Sequence, residues 1–272
     1  MLNLRQRTAV IIILAIVLLS VIMLNGIFMD NDRLTVNLDS KNNAPSLNHL
    51  FGTDWLGRDM LARTLKGLTM SMGVGLLAAF LSAWIALMLS LLASLNKTFD
   101  YMVTWLIDLI LSVPHIVLLI MISFAFGGGF NGVVVGLALT HWPSLARLLR
   151  SEVLQIKSAE YVGVSQQLGK SKLWILRHHI IPHLAPQLFV GFILLFPHVI
   201  LHEAAITFLG FGLSTDQPAI GVILSESMRY LSTGLWWLAF FPGLSLLLMV
   251  ALFDLLGKNI HKLGGPFQGQ RG

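Results

Sequence analysis

Two histidines and a glutamate stand close together within a strongly apolar stretch of the chain. His198 and His202 are four residues apart, so both side chains lie on one face if the stretch is helical, and Glu203 follows directly. Neutral imidazole is a common ligand of borderline divalent metals. The pattern predicts transient metal binding at His198 and His202, and the alternative is a set of hydrogen bonds between helices.

Further polar side chains, Asp108, His115 and His141, interrupt other apolar stretches. A charge at the centre of a bilayer costs roughly 2.5–3.5 kcal/mol, so polar groups there are expected to face a partner or a water-filled path. We expect five such side chains to line a substrate path: Asp108, His141, His198, His202 and Glu203.

Two motifs that would make the chain an enzyme do not have the required spacing. The segment from Gly163 to Ser171 ends in Gly-Lys-Ser, but five residues separate its glycines where a phosphate-binding loop needs four. His202-Glu203 begins like a zinc-protease motif, yet Ile206 stands where the second histidine is needed. Nucleotide binding and zinc-dependent hydrolysis by this chain are therefore not expected, and no bound cofactor is predicted.

The elements that position these residues are predicted to cross a membrane. The chain is 56% hydrophobic and 11% charged, against about 25% charged residues in a typical soluble domain. Its apolar residues come in stretches of about 20, the length that spans a bilayer as a helix. The basic residues are dispersed along loops, which argues against nucleic-acid binding. We expect an all-α membrane protein surrounded by lipid.

Six transmembrane helices are predicted, followed by a polar tail over 258–272. The first of them, the N-terminal transmembrane helix, is assigned to 1–28. The extracytoplasmic segment covers 29–67, and the core with five of the helices covers 68–257. The spans are expected at about 8–28, 68–95, 102–125, 132–149, 187–213 and 235–257. Twelve lysines and arginines fall on the side of the N-terminus and six on the other side, which predicts that both termini are cytoplasmic.

The largest loop on the predicted cytoplasmic side runs from about 151 to 186. It is amphipathic and is expected to be helical up to Pro182, where proline would end the pattern. Its order Glu160-Tyr161-Val162, Gly163-Val164-Ser165, three residues, Gly169 and Ile180-Ile181-Pro182 resembles the EAA loop of bacterial ABC importer permeases, with Gly-Val-Ser in place of Glu-Ala-Ala. Without this resemblance, the loop is interpreted as a solvated connector in preference to a docking surface.

Two further segments extend this resemblance over most of the chain. The segments Phe51–Asp59 and Ala204–Gly212 are similar to signatures of the C-type permease in the dipeptide/oligopeptide/nickel importer family. The resemblance implies a type I ABC importer permease fold in a bacterial inner membrane. It also implies a second homologous permease, two cytoplasmic ATPases that use ATP, and an extracytoplasmic substrate-binding protein. The residues implied in ATPase coupling are Glu160, Gly163, Gly169, Ile180 and Pro182.

The cargo is predicted from the same comparison. Thr140-His141-Trp142 and Leu201-His202-Glu203 look more like nickel and metallophore permeases than like dipeptide permeases. We therefore expect a metal ion such as nickel or cobalt, or its chelate, with a peptide importer as the alternative. A secondary transporter working alone would need repeated segments, which the sequence lacks, and a metalloenzyme would need a complete ligand set.

Overall fold

The computed structural model describes residues 4–264, and the predicted tail beyond 264, with Arg271, lies outside the described residues. The described part is helical apart from its connections. Its α-helices are α1 (Leu4–Phe28), α2 (Met60–Ala93), α3 (Lys97–Leu111), α4 (His115–Ala125), α5 (Gly129–Lys157), α6 (Glu160–Gln167), α7 (Lys172–Ile175), α8 (Ile181–Phe208), α9 (Ile220–Met228) and α10 (Trp237–Gly264). Residues 258–264 of the predicted tail continue α10.

Five helices within residues 4–264 are long and apolar enough to cross a membrane, and a bent pair supplies a sixth if it counts as one span. Most of each predicted span falls on these helices, although the predicted fifth span continues to 213, past the end of α8 at Phe208. Several helices extend well beyond the predicted spans. The helix α2 begins at Met60 and α5 continues to Lys157. Polar residues at those ends hid the extensions, because a hydropathy pattern marks only the part that lies in lipid.

The expected third span is two helices. The helices α3 and α4 meet at an angle of 98° across a short break. Pro114 lies at this break and precedes the first residue of α4. Proline has no amide hydrogen and disfavours helical geometry in the residue before it, so a continuous helix is interrupted here. The break places His115 at the start of α4.

The centre of the bundle is formed by α2, which packs against α5 and α8. Its buried face is lined by small side chains, including Ala78, Ser82, Ala86 and Ser90. Small residues allow helix backbones to approach closely in lipid. The Ser82 hydroxyl donates to the Ala138 carbonyl at 3.0 Å, and the Ser90 hydroxyl donates to the Ala146 carbonyl at 3.2 Å. These contacts hold α2 and α5 along much of their length.

Gly132 and Gly136 are four residues apart in the sequence, a spacing that predicts a close helix contact, and they pack α5 against α4. A Cβ atom at Gly132 would lie 2.4 Å from the Ser123 carbonyl oxygen of α4. One at Gly136 would lie 3.1 Å from the Leu119 carbonyl oxygen. The packing role is confirmed, since no larger residue fits without moving the α4 backbone.

In the part of the chain that the structure describes, two groups of buried apolar residues form the core. One lies among α2, α3, α4, α5 and α8, and the other joins α1, α2, α8, α9 and α10. The helices α2 and α8 contribute to both. The outermost helix is α1, which packs on α10 and α2 and leaves most of its apolar side chains exposed. Such a surface is expected to face lipid or another apolar chain.

The connection between α1 and α2 is organised around the buried carboxylate of Asp54. Asp54 is fully buried and accepts hydrogen bonds from the Leu56 and Arg58 amides, each at 2.9 Å. Its second oxygen pairs with Arg58 at 2.7 Å and with Arg63 at 2.8 Å. Arg63 also pairs with Glu226 of α9 at 2.7 Å. The connection is thereby joined to the helix that precedes α10.

Candidate functional site

The segment between α5 and α8 presents an amphipathic surface. Val162 of α6 and Ile175 of α7 are buried and anchor the segment to the bundle. Outward-facing apolar side chains lie on the other face: Tyr161, Val164, Leu168 and Leu173. Apolar side chains that project from a polar connection in this way are typical of a surface that docks a partner protein.

The five residues predicted to couple to an ATPase are spread over this segment. Glu160 is exposed at the start of α6, and Gly163 lies in α6, where a Cβ atom would have no neighbour within 4 Å. Gly169 follows α6 with a φ of +75°, a conformation that favours glycine and ends the helix. Ile180 is buried, whereas Pro182 is exposed.

The expectation that Pro182 ends the helical pattern is wrong. The chain is helical from Lys172 to Phe208 and contains one π-helical turn, Leu176–Ile180. In this turn the Ile181 amide donates to the Leu176 carbonyl. Pro182 stands in the first turn of α8, where its missing amide hydrogen is tolerated within the wider π geometry.

Aromatic and histidine side chains stabilise the junction between α7 and α8. The rings of Trp174 and His178 stack with centroids 4.3 Å apart, and the Lys170 ammonium nitrogen lies 5.0 Å from the centroid of the Trp174 ring. His179 meets the Ser165 hydroxyl at 3.0 Å and so connects this junction to α6. The segment is therefore one connected unit.

Inside the bundle, three histidines from three helices meet. His115 of α4, His141 of α5 and His202 of α8 have ring centroids separated by 4.3–5.1 Å. His141 is buried, and the other two are partly exposed. Sequence reasoning identified all three residues as intramembrane polar groups but did not group them, because the helix rotations and the break at Pro114 decide which rings meet.

The imidazole rings of the predicted pair, His198 and His202, do not contact each other. The Nδ1 atom of His202 lies 2.8 Å from the backbone carbonyl oxygen of His198, and the His198 side chain is exposed. His202 instead faces His141, whose Nε2 lies 3.3 Å from the His202 Nδ1. The metal ligands predicted from spacing alone therefore share a helix face but not a site in this conformation.

Glu203 is enclosed by protein. It is fully buried, and its Oε1 accepts a hydrogen bond from Thr207 at 3.0 Å. Its Oε2 has no hydrogen-bond partner within residues 4–264. In this conformation Glu203 points into the helix packing and does not line an open path.

Asp108 lies on an open face of the bundle. It pairs with Arg147 of α5 at 2.8 Å, and both side chains are more than half exposed. About one turn further along α5, Arg150 pairs with Asp100 of α3. Charged side chains on a membrane-embedded face are expected to point toward another protein chain or a water-filled path, not toward lipid.

The chain matches a known family of transport proteins over most of its length. Residues 75–263 match the family described as "Binding-protein-dependent transport system inner membrane component". The chain is 32% identical over 222 residues to a putative peptide transport system permease protein of Brucella suis biovar 1, covering 82% of this chain and 75% of that one.

Other relatives have related names. The chain is 31% identical over 231 residues to the dipeptide transport system permease protein DppC of Bacillus subtilis, covering 85% of this chain and 72% of the relative. It is 31% identical over 229 residues to the glutathione transport system permease protein GsiD of Escherichia coli, covering 84% and 75%.

A solved structure supports the fold. The chain is similar to a subunit of the MetNI methionine ABC transporter, solved in inward-facing conformations, with a TM-score of 0.63 and 19% identity over 76% of this chain and 98% of that one. This similarity establishes the fold alone. Together with the family match and the relatives, it shows that the chain belongs to the family of binding-protein-dependent transport system inner membrane components and is a multi-pass inner-membrane permease of an ABC importer.

Proposed function

We propose that this chain forms half of the translocation path of an importer for short peptides. The observation that carries the proposal is the shared naming of relatives for peptide, dipeptide and glutathione transport at 31–32% identity over more than 80% of the chain. The metal cargo predicted from the His141 and His202 contexts has no counterpart in these three names. The peptide alternative is therefore preferred.

The coupling surface for the ATPase is proposed to be the outward face of α6 and α7. Buried Val162 and Ile175 attach this face to the bundle, while exposed Tyr161, Leu168 and Leu173 remain available to a partner. The continuous helix from Lys172 into α8 gives a direct mechanical connection from this face to the centre of the bundle. A displacement of α7 by the ATPase would therefore also displace α8.

The open face that contains Asp108 and Arg147 is proposed to meet the path or the second permease. Both residues are exposed although they lie within apolar helices. With two permeases, the path would form between the chains, ATP would be used by the partner ATPases, and an extracytoplasmic binding protein would deliver the peptide. Both termini are proposed to lie in the cytoplasm.

This arrangement would support alternating access, because ATP binds with different affinity to the two conformations of the assembled importer. ATP binding would draw the two ATPases together, and the coupling surfaces of the two permeases would transmit that movement to their bundles. No catalytic residue or tightly bound cofactor of this chain is needed for transport itself. The energy comes from the partner subunits, and the path needs only moderate affinity so that the cargo is released.

Uptake measurements in cells that lack only this chain test the cargo. We expect uptake of a labelled dipeptide or tripeptide, supplied at a concentration where other importers contribute little, to fall at least about tenfold, and labelled nickel uptake to stay unchanged. Restoring the chain from a plasmid should restore peptide uptake. Loss of nickel uptake with unchanged peptide uptake would support the metal cargo and overturn the proposal.

A further inference from the structure

The three-histidine cluster, defined here as His115, His141 and His202, has the composition and geometry of a metal site. Each ring offers one ligand nitrogen, and these three nitrogens lie within 4.8 Å of one another. Three different helices supply the rings: α4, α5 and α8. Nothing in the function proposed above requires three imidazoles to converge at this position.

In His141 and His202, the Nδ1 atom is hydrogen-bonded to the backbone, so the Nε2 lone pair is available to a metal ion. The Nδ1 atom of His141 lies 3.0 Å from the Leu137 carbonyl oxygen, and that of His202 lies 2.8 Å from the His198 carbonyl oxygen. A carbonyl only accepts, so in the neutral rings Nδ1 carries the hydrogen and Nε2 carries the lone pair. A backbone carbonyl bonded to the second ring nitrogen is the usual arrangement behind a metal-bound histidine.

The third ring has a nitrogen without a partner. The Nδ1 atom of His115 is buried, and no hydrogen-bonding group within residues 4–264 reaches it. A cluster held together only by hydrogen bonds would be expected to satisfy this atom, because an unpaired buried polar group costs about 1–3 kcal/mol. A cation shared by the three rings would satisfy it.

We propose that the three-histidine cluster binds one divalent transition-metal ion that imidazole favours, such as Zn²⁺, Ni²⁺ or Co²⁺. A nitrogen–metal distance of about 2.0–2.1 Å places tetrahedral ligands about 3.3–3.4 Å apart, so the rings would rotate inward by about an ångström. The shift is small because the ligand nitrogens of the three rings already lie within 4.8 Å of one another. Because His115 and His202 are partly exposed, a fourth position remains for water.

The ion would be resident and would act as a link between helices. The helices α4 and α8 share few direct contacts, whereas each packs extensively on α5. An ion held by His115, His141 and His202 would join all three, next to the break at Pro114 where α4 is free to change its angle. Its expected effect is to fix α4 against α8, so binding would slow any transport step that separates them.

Metal binding to the purified full-length chain tests the proposal. The chain would be purified in detergent without a histidine tag, stripped with a chelator, and titrated with Co²⁺ and Zn²⁺ by visible absorption and equilibrium dialysis. We expect one ion per chain at micromolar free metal. The variants His115→Asn and His202→Asn are expected to weaken binding at least tenfold, since each removes one of three ligands.

A matched control lies one turn away on the same helix. His198 is exposed and outside the cluster, so His198→Asn is expected to bind metal as the parent does. Binding that is unchanged in the combined His115→Asn, His141→Asn and His202→Asn variant would overturn the proposal. So would an equal loss in His198→Asn, or the absence of binding by the parent.

Ligand identity in the parent provides a measurement that does not depend on folded variants. X-ray absorption of the Zn²⁺-loaded chain is expected to give a first shell with about three imidazole nitrogens, and a shell with one imidazole or none would contradict the proposal. Nickel uptake that depends on the three histidines in cells would show the ion to be cargo and overturn the resident role. Peptide uptake tests the proposed function separately, because metal binding to the purified chain requires no cargo.

Discussion

At the scale of single residues, the buried charges of the connection before α2 are satisfied by specific partners. Asp54 is buried and paired with two arginines, and Arg63 continues the pairing to Glu226. Asp59 caps α2 by accepting a hydrogen bond from the Ala62 amide at 3.0 Å. Both aspartates fall within the Phe51–Asp59 segment that resembled a family signature, and the structure assigns them a role in holding the connection before α2.

The variant Asp54→Asn is expected to lower the melting temperature of the purified chain by several degrees. The substitution removes the charge shared by Arg58 and Arg63 and leaves Arg63 a partner only in Glu226. Breaking a buried ion pair costs about 3–5 kcal/mol. Thermal unfolding in detergent, followed by tryptophan fluorescence, measures the change.

The control for this prediction is Asp254→Asn. Asp254 pairs with Lys258 at 2.6 Å, but both side chains are well exposed. An exposed pair contributes about 0–1 kcal/mol, so this variant should melt close to the parent. Equal melting of the two variants would contradict the role assigned to Asp54.

At the scale of helices, small residues and helix breaks decide which faces meet. Gly132 allows α5 to lie against the α4 backbone, and Pro114 turns α3 away from α4. The same break brings His115 to the start of α4, where it reaches His141 and His202. The position of the three-histidine cluster therefore depends on these two local features.

The variant Gly132→Ala is expected to destabilise the bundle by about 1–3 kcal/mol. Its Cβ would lie 2.4 Å from a backbone oxygen of Ser123, so α4 has to move. Gly73→Ala is the matched control, because nothing lies within 4 Å of a Cβ at that helical position. We expect Gly73→Ala to be neutral or slightly stabilising in the same thermal measurement. A loss of stability that is as large at Gly73 would refute the packing argument.

Gly163 offers a test of the coupling surface that does not depend on folding. No atom lies within 4 Å of a Cβ at this position, so a larger side chain is accommodated by this chain alone. We expect Gly163→Leu to keep normal membrane insertion and melting but to lose ATPase co-purification and most peptide uptake. Gly163→Ala adds a single methyl group and should have a much smaller effect. Normal uptake in Gly163→Leu would place the ATPase contact elsewhere.

At the scale of the whole molecule, the chain has polar connections on both sides of the bundle, and the exposed faces of the bundle differ in charge. The α1–α2 connection leads into the N-terminal end of α2, and the α6–α7 segment follows the C-terminal end of α5. Charged residues such as Asp108 and Arg147 on the open face distinguish it from the surface of α1, where apolar side chains dominate. We expect the charged face to meet the partner permease and α1 to face lipid.

Cysteine labelling tests the orientation of the chain in the membrane. The sequence has no cysteine, so single substitutions are read without background. Leu47 and Leu173 are 97% and 70% exposed and lie in the two opposite connections. We expect a membrane-impermeant maleimide to label Leu47→Cys in intact spheroplasts and to label Leu173→Cys only after permeabilisation. Labelling of Leu173→Cys from outside would reverse the proposed orientation.

The family and the approximate spans were determined by the sequence alone. Apolar stretches of about 20 residues are a local property, and the glycine and proline pattern of 151–186 is read without knowledge of packing. The predicted packing role of Gly132 and Gly136 also follows from spacing on one helix. The cargo was predicted less well, because short motifs around His141 and His202 do not reveal what surrounds those rings.

Only the tertiary structure decided which polar side chains meet. His198 and His202 share a helix face, yet His202 contacts His115 and His141, which lie 87 and 61 positions earlier in the sequence. The angle at Pro114 and the burial of Glu203 depend on how several helices pack together. A hydropathy pattern identifies the helices in lipid but contains no information about their rotation, and rotation decides which side chains form a site.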